Sequence, residues 1–249
     1  MLNSITYGTG SRPLVIAHGL FGSARNWGVI AKRMAATRRV ICVDMRNHAG
    51  SFWSEDMSYA AMAADLAEVM APLGEVDLLG HSMGGKAAMM AALAGAPLRR
   101  LVVADIAPVT YTHTQTPYID AMERLDLAQV STRAEADAAL AADVPEASIR
   151  AFLLQSLDVK ARAWKLNLPA LRARMDEIIG FPEIAARWDG PTLFLSGALS
   201  DYVTREARPA IKARFPSARF AKIPGAGHWL HAEKPREFEA AVTTFLESP

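Results

Sequence analysis

The sequence predicts an α/β fold: a mostly parallel β-sheet with helices on both faces, and a helical segment inserted partway along the chain. Three observations lead there. Short apolar runs alternate with helically spaced segments over residues 14–106 and again over 191–246, the pattern of strands joined by crossover helices. Between these stretches, residues 111–187 carry helical patterns and no convincing strand. Within the first half, the run VDLLGHSMGGKAAMM at 76–90 reads as strand, sharp turn and helix. The expected organisation is a core in two parts, 1–110 and 188–249, around an inserted helical cap at 111–187.

Taken in order, residues 3–12 suit a short hairpin or edge strand, and 14–17 form an apolar strand that feeds the glycine-bearing loop HGLFG at 18–22. Helical spacing over 26–36 leads to the strand VICVDM at 40–45 and the polar turn RNHAGS at 46–51. Ser58 is placed to N-cap a helix whose apolar positions Tyr59, Met62, Ala63, Leu66, Val69, Met70 and Leu73 follow the i, i+3, i+4, i+7 rule, and Gly74 ends it. After the turn-bearing run comes a strand at 100–106, with Asp105 near its end. In the insertion, helices are expected over 118–127, after Ser131 or Thr132 with Glu135 completing a capping box, around Pro145 in a first turn, and over 169–179. The alternation resumes with a strand at 191–197, a helix at 204–215, a strand at 219–223, the loop GAGHW at 225–229 and a last helix at 235–246.

Bulk composition narrows the function classes. A formal net charge of +1 gives no reason to invoke nucleic acid or an anionic membrane surface. The single cysteine, Cys42, lies in an apolar run, so a disulfide framework or thiolate metal site is not expected. The start, MLNSITYGTGSRP, lacks a secretory pattern, and the longest apolar run, 87–98, is too short for a bilayer and broken by Gly95 and Pro97. A cytoplasmic protein, monomer or homodimer, is the expectation.

The turn at 80–84 has the form G-x-S-x-G. Exposing Ser82 at the tip of so tight a turn strains the backbone and brings it close to its neighbours, which explains glycine at 80 and 84. The helix N-terminus behind the serine offers free N–H groups and a positive dipole end to a developing oxyanion. Two amides are expected to converge on that oxygen, from Met83 and from Leu20, with Phe21 the neighbouring alternative. A serine hydroxyl needs a base, and His228, in a glycine-flanked loop after the last strand, is the best placed of six histidines. His231 is expected to cap or face solvent, His18 to hold its loop, and His81 to sit beside the serine and point away from it. His113 could at most touch substrate, and Asp44, Arg46 and His48 read as a structural network. For the acid, both Asp105 and Asp201 can reach the histidine, Asp201 lying one residue past the usual Gly-x-x-Asp position, which Ser200 holds here.

The segments HGLFGSARNW, DMRNH, GHSMGGKAAM, ADIAPV and GAGHWLHAEKP together resemble the α/β-hydrolase superfamily, and within it the small serine esterases of the YbfF and abhydrolase-domain type. The resemblance covers most of the core and is weak in the insertion. It implies an α/β-hydrolase fold and selects Asp105, through the D-I-x-P-V motif, as the acid beside Ser82 and His228, with Asp201 in reserve. This chain departs from the pattern in carrying Ala49 where glycine usually follows Asn-His, and in having Asp201 at all. The implied activity is hydrolysis of small to medium apolar acyl esters through an acyl-enzyme, with Phe21, His81, Phe152, Trp164, Phe181 and Trp229 as candidate substrate contacts. No cofactor or metal is expected, because no dinucleotide glycine fingerprint, HExxH or cysteine cluster is present. His228 and His231 could bind zinc only with a third ligand. Thioesterase, acyltransferase or carbon–carbon bond hydrolase chemistry uses the same triad, and a non-catalytic ligand sensor can use the same scaffold.

Overall fold

The computed structural model describes residues 1–248 of the 249. Its main sheet has seven strands: β1 (Ser4–Tyr7), β2 (Leu14–Ala17), β3 (Val40–Val43), β4 (Val76–His81), β5 (Leu98–Ala104) and, after a two-stranded hairpin of β6 (Leu157–Asp158) and β7 (Ala163–Trp164), β8 (Thr192–Gly197) and β9 (Ala218–Ile223). The order across the sheet is β1-β3-β2-β4-β5-β8-β9; β1 pairs antiparallel at one edge and every other pair is parallel. The helices in chain order are α1 (Gly28–Met34), α2 (Tyr59–Met70), α3 (Met83–Leu93), α4 (Thr116–Arg124), α5 (Arg133–Leu140), α6 (Ala147–Leu153), α7 (Leu168–Ala173), α8 (Met175–Ile179), α9 (Arg208–Arg214), α10 (Leu230–Glu233) and α11 (Pro235–Glu247).

Strand alternation divides the core in two. Val15, Val43, Leu78, Val103 and Phe194 face α2, α3 and the insertion, while Ile16, Cys42, Leu79, Val102 and Leu195 face Trp27, Ile30, Phe238 and Val242 of the opposite layer. α2 starts where Ser58 Oγ accepts the Ala61 N–H at 3.2 Å, and a turn of 3-10 helix carries it to Gly74, whose φ of +73° only glycine adopts without strain. α11 buries Phe238, Val242, Phe245 and Leu246, a single stripe at helical spacing. Cys42 is fully buried, and burial pushes its thiol up to about 12.

The parallel register aligns the carboxyl ends of β2, β4, β5, β8 and β9 along one edge: Ala17 pairs Gly80, His81 pairs Ala104, Ala104 pairs Leu195, and Gly197 pairs Ile223. Ligand sites of such sheets form beyond that edge. His18, Ser82 and Asp105 directly follow three of these ends, and Ser200 and His228 lie in the loops after the other two.

Several boundaries differ from the sequence expectation. The insertion contains the β6–β7 hairpin, and two-residue strands are too short to show a period. The helix expected over 169–179 is two helices broken at Arg174, Pro145 precedes the N-cap Glu146 rather than occupying a first turn, and α9 begins at Arg208, four residues late. The capping box of Thr132 and Glu135 is present, with the Glu135 N–H on Thr132 Oγ1 at 3.2 Å. Among the described residues no helix is long and apolar enough to cross a membrane.

Candidate active site

Ser82 sits between β4 and α3 with φ +52° and ψ −120°, a conformation that an L-residue holds only when its surroundings force it. The glycines show what forces it. A Cβ on Gly80 would lie 2.1 Å from the Gly84 carbonyl oxygen, and one on Gly84 would lie 2.5 Å from the carbonyl oxygens of Ala17 and His18. Gly19 approaches from the other side, where a Cβ would stand 2.9 Å from His81 Nδ1 and 3.1 Å from Ser82 Cβ. The turn is therefore clamped between the start of α3 and the loop after β2.

Three side chains from three strand ends meet in a line. Ser82 Oγ lies 3.1 Å from His228 Nε2, and His228 Nδ1 lies 2.7 Å from Asp105 Oδ2. Asp105 is fully buried, and its carboxylate also accepts the Gly197 N–H at 3.1 Å on Oδ1 and the Ser200 hydroxyl at 2.5 Å on Oδ2. Ser200, at the position where an acid is usual, thus donates to the carboxylate contributed by β5. Asp201 is exposed and makes no hydrogen bond to His228 among the described residues. Tyr202 stacks on the His228 ring, with centroids 4.1 Å apart at 20°.

Four of the other histidines, His18, His48, His81 and His231, are buried, and burial disfavours their charged form. His18 Nδ1 donates to the Gly19 carbonyl at 2.8 Å while Nε2 accepts the Met45 N–H at 2.9 Å, and burial lowers its pKa. His48 Nδ1 donates to the Arg46 carbonyl at 2.7 Å, and burial followed by repulsion from His18 pushes the ring down to about 3. Its Nε2 therefore accepts the Phe21 N–H at 3.2 Å, which commits that amide to the loop and distinguishes Phe21 from Leu20. His81 Nε2 donates to the His228 carbonyl at 2.9 Å, fixing the backbone of the loop that carries the histidine, and burial holds it well below the ordinary value. The expected solvent-facing role of His231 is corrected: it is buried and stacked on Trp27 at 4.2 Å, and burial pushes it down to about 3. Among the described residues no group of three metal-ligating side chains converges.

The network at 44–48 ties the loop after β3 to α2 and to the loop after β2. Arg46 grips Asp65 through Nε at 2.6 Å and Nη2 at 2.9 Å, and Asp44 accepts the Ala24 N–H at 2.7 Å. Ala49 keeps the turn with φ +47°, the left-handed region that favours glycine.

A cavity of about 280 Å³ opens onto Ser82. It is lined by Phe21, His81, Phe152 and Trp229 of the candidate substrate contacts, by Leu20 and Met83, and also by Lys86, Tyr111, His113, Ile149, Ile178 and Ile179. Phe152 from the insertion meets Trp229 from the core at 5.5 Å. Trp164 and Phe181 are corrected: neither lines the cavity. The Trp164 indole donates to the Met122 carbonyl at 2.9 Å within the insertion, and Phe181 packs on Tyr59. Lys86 carried a signal that the sequence reading passed over, as the only charged residue in a helix otherwise of Gly, Ala, Met and Leu.

Comparison with known proteins agrees with this fold. The profile of the alpha/beta hydrolase family matches residues 14–241. The chain is 44% identical to the sn-1-specific diacylglycerol lipase ABHD11 of Mus musculus over 94% of this chain and 80% of that protein, and 39% identical to the esterase YbfF of Escherichia coli K12 over 94% and 92%. A solved marine microorganism esterase superposes with a TM-score of 0.93 at 38% identity, covering 98% of each chain. Strand order, elbow and this breadth of similarity together mean that the chain belongs to the alpha/beta hydrolase family.

Proposed function

We propose that the chain is a serine carboxylesterase that works through an acyl-enzyme formed on Ser82. The observation that carries this reading is the hydrogen-bonded line from Ser82 Oγ through the His228 ring to Asp105. The related esterase and lipase, at 39% and 44% identity, support ester bonds as the substrate class.

In the proposed cycle His228 Nε2 takes the Ser82 proton as Oγ attacks the ester carbonyl, and returns it to the leaving alcohol as the tetrahedral intermediate collapses. Water, deprotonated by the same nitrogen, then releases the acid and regenerates the serine. Asp105 holds the imidazole in the tautomer with hydrogen on Nδ1 and stabilises its charged form, and Ser200 and the Gly197 amide hold Asp105. The Met83 amide, at the first helical position of α3 and so without an intrahelical acceptor, and the Leu20 amide receive the oxyanion.

The insertion acts as a cap. Its backbone and side chains hydrogen-bond to the loops above the sheet edge, through Ser156 Oγ to the Phe21 carbonyl at 2.9 Å, the Ala49 N–H to the Lys165 carbonyl at 2.7 Å, and Asn167 to Asn47. With Phe152, Ile149, Ile178 and Trp229 lining it, the cavity suits small to medium apolar acyl groups. A panel of p-nitrophenyl esters of rising acyl length tests this. Hydrolysis that is efficient for short and medium chains and declines for long ones is expected; absence of hydrolysis across the panel overturns the reading.

A further inference from the structure

Lys86 lies one helical turn beyond Ser82 on α3 and is only 1% exposed. No carboxylate compensates its charge among the described residues. An isosteric apolar side chain would fill the same space without burying an ammonium, so the charge calls for an explanation in what it touches.

Its contacts are the two ends of the insertion. Nζ donates to the carbonyls of Ile179 at 2.7 Å and Gly180 at 2.5 Å, where α8 ends and the chain leaves the insertion. These are carbonyls that a helix terminus leaves without intrahelical partners. The same ammonium stands over the ring of Tyr111, 4.7 Å from its centroid, and Tyr111 lies where the chain enters the insertion. The two stems are also joined directly, the Tyr111 N–H donating to the Ile179 carbonyl at 3.0 Å. Tyr59 of α2 completes the cluster: its hydroxyl donates to the Ile178 carbonyl at 2.6 Å and its ring faces Nζ at 5.7 Å. Lys86, Tyr111, Ile178 and Ile179 all line the cavity in front of Ser82.

We propose that Lys86 is a positioning residue that pins both stems of the insertion to the helix behind the nucleophile, and so sets the cavity wall that determines which acyl lengths are accepted. The inference rests on reading that cavity as the acyl site of an esterase. Without the Lys86 amine, the Ile179 and Gly180 carbonyls lose their shared donor and Tyr111 loses the group packed over its face. The wall formed by Ile178 and Ile179 is then free to shift relative to Ser82.

The test compares wild type with Lys86→Met, and with Lys86→Gln should the first variant fail to fold, using two readouts. Hydrogen exchange reads the clasp whatever the activity: the Tyr111 and Gly180 amides should exchange at least about tenfold faster in the variant while the β4 and β5 amides keep their protection. On the p-nitrophenyl ester panel, the ratio of kcat/KM between the preferred acyl length and the acetyl ester should fall by about fivefold or more, with the change carried by KM. Unchanged exchange at the stems overturns the pinning. Faster exchange with a length profile that keeps its shape, all rates moving together, overturns the role in selectivity. Lack of ester hydrolysis by the wild type would instead remove the esterase reading, and the exchange result would still judge the clasp.

Discussion

Exchanging Asp105 for asparagine distinguishes the two carboxylates that compete for His228. Three donors converge on the Asp105 carboxylate: the Gly197 N–H at 3.1 Å, the Ser200 hydroxyl at 2.5 Å and His228 Nδ1 at 2.7 Å. A carboxylate accepts all three, whereas an amide presents one oxygen and one NH2 group. With the oxygen toward His228, the NH2 meets the Gly197 N–H. With the NH2 toward His228, Nδ1 must accept, Nε2 then carries the proton, and the ring cannot take the proton of Ser82. Both arrangements lose the charge that stabilises the imidazolium. The expected cost is roughly 10^2 to 10^4 in kcat, about 2.7–5.4 kcal/mol. Asp201→Asn alters an exposed carboxylate and should change kcat by no more than about twofold. The assay is hydrolysis of p-nitrophenyl acetate by purified variants with matching circular dichroism. A crippled Asp201→Asn beside a near-normal Asp105→Asn would refute the reasoning and assign the acid to the later loop.

Two further predictions concern stability. Ala49 holds a left-handed φ of +47°, so Ala49→Gly should stabilise the fold by about 0.5–1 kcal/mol and raise Tm by roughly 1–4 °C; an unchanged or lower Tm contradicts the strain. Burial pushes the Lys86 ammonium down from 10.5 to about 7, while Tyr59 and Tyr111, the titratable groups facing it, are pushed up and stay neutral. Because the folded pKa lies below the unfolded one, from about pH 7 to 10.5 the unfolded chain holds a proton that the folded chain has lost, and the Lys86 contribution to stability rises with pH across that window. Denaturant unfolding at pH 6.5 and pH 9 should show the stability of wild type relative to Lys86→Met increasing with pH, and parallel behaviour of the two proteins contradicts the shift.

The parts of this protein legible in its sequence are those decided locally. An apolar run entering GHSMGG marks the elbow because only a strand, a strained turn and a helix need that order of residues, and Ser58 and Thr132 marked helix starts through caps that span three residues. Asp105 was legible as one of two candidates; choosing between them took resemblance, because the deciding contacts, Gly197 at the end of β8 and Ser200 in the loop after it, come about ninety residues later. The illegible parts are those decided by tertiary contact. His231 follows a loop and looks solvent-facing, yet Trp27 supplies a stacking partner from the other end of the chain. Trp164 and Phe181 are large and apolar like true lining residues, and only packing shows that they fill the insertion and its base instead. The β6–β7 hairpin is too short for any periodicity to register.

The central claim is that Ser82 becomes acylated, and covalent labelling reads it most directly. A fluorophosphonate probe, followed by intact mass and peptide mapping, should add one adduct to the wild type, at Ser82. The Ser82→Ala variant should remain folded, take no label and lose esterase turnover by about 10^4 to 10^6. Label on another residue of the wild type, or ester hydrolysis retained by purified Ser82→Ala, would contradict the account.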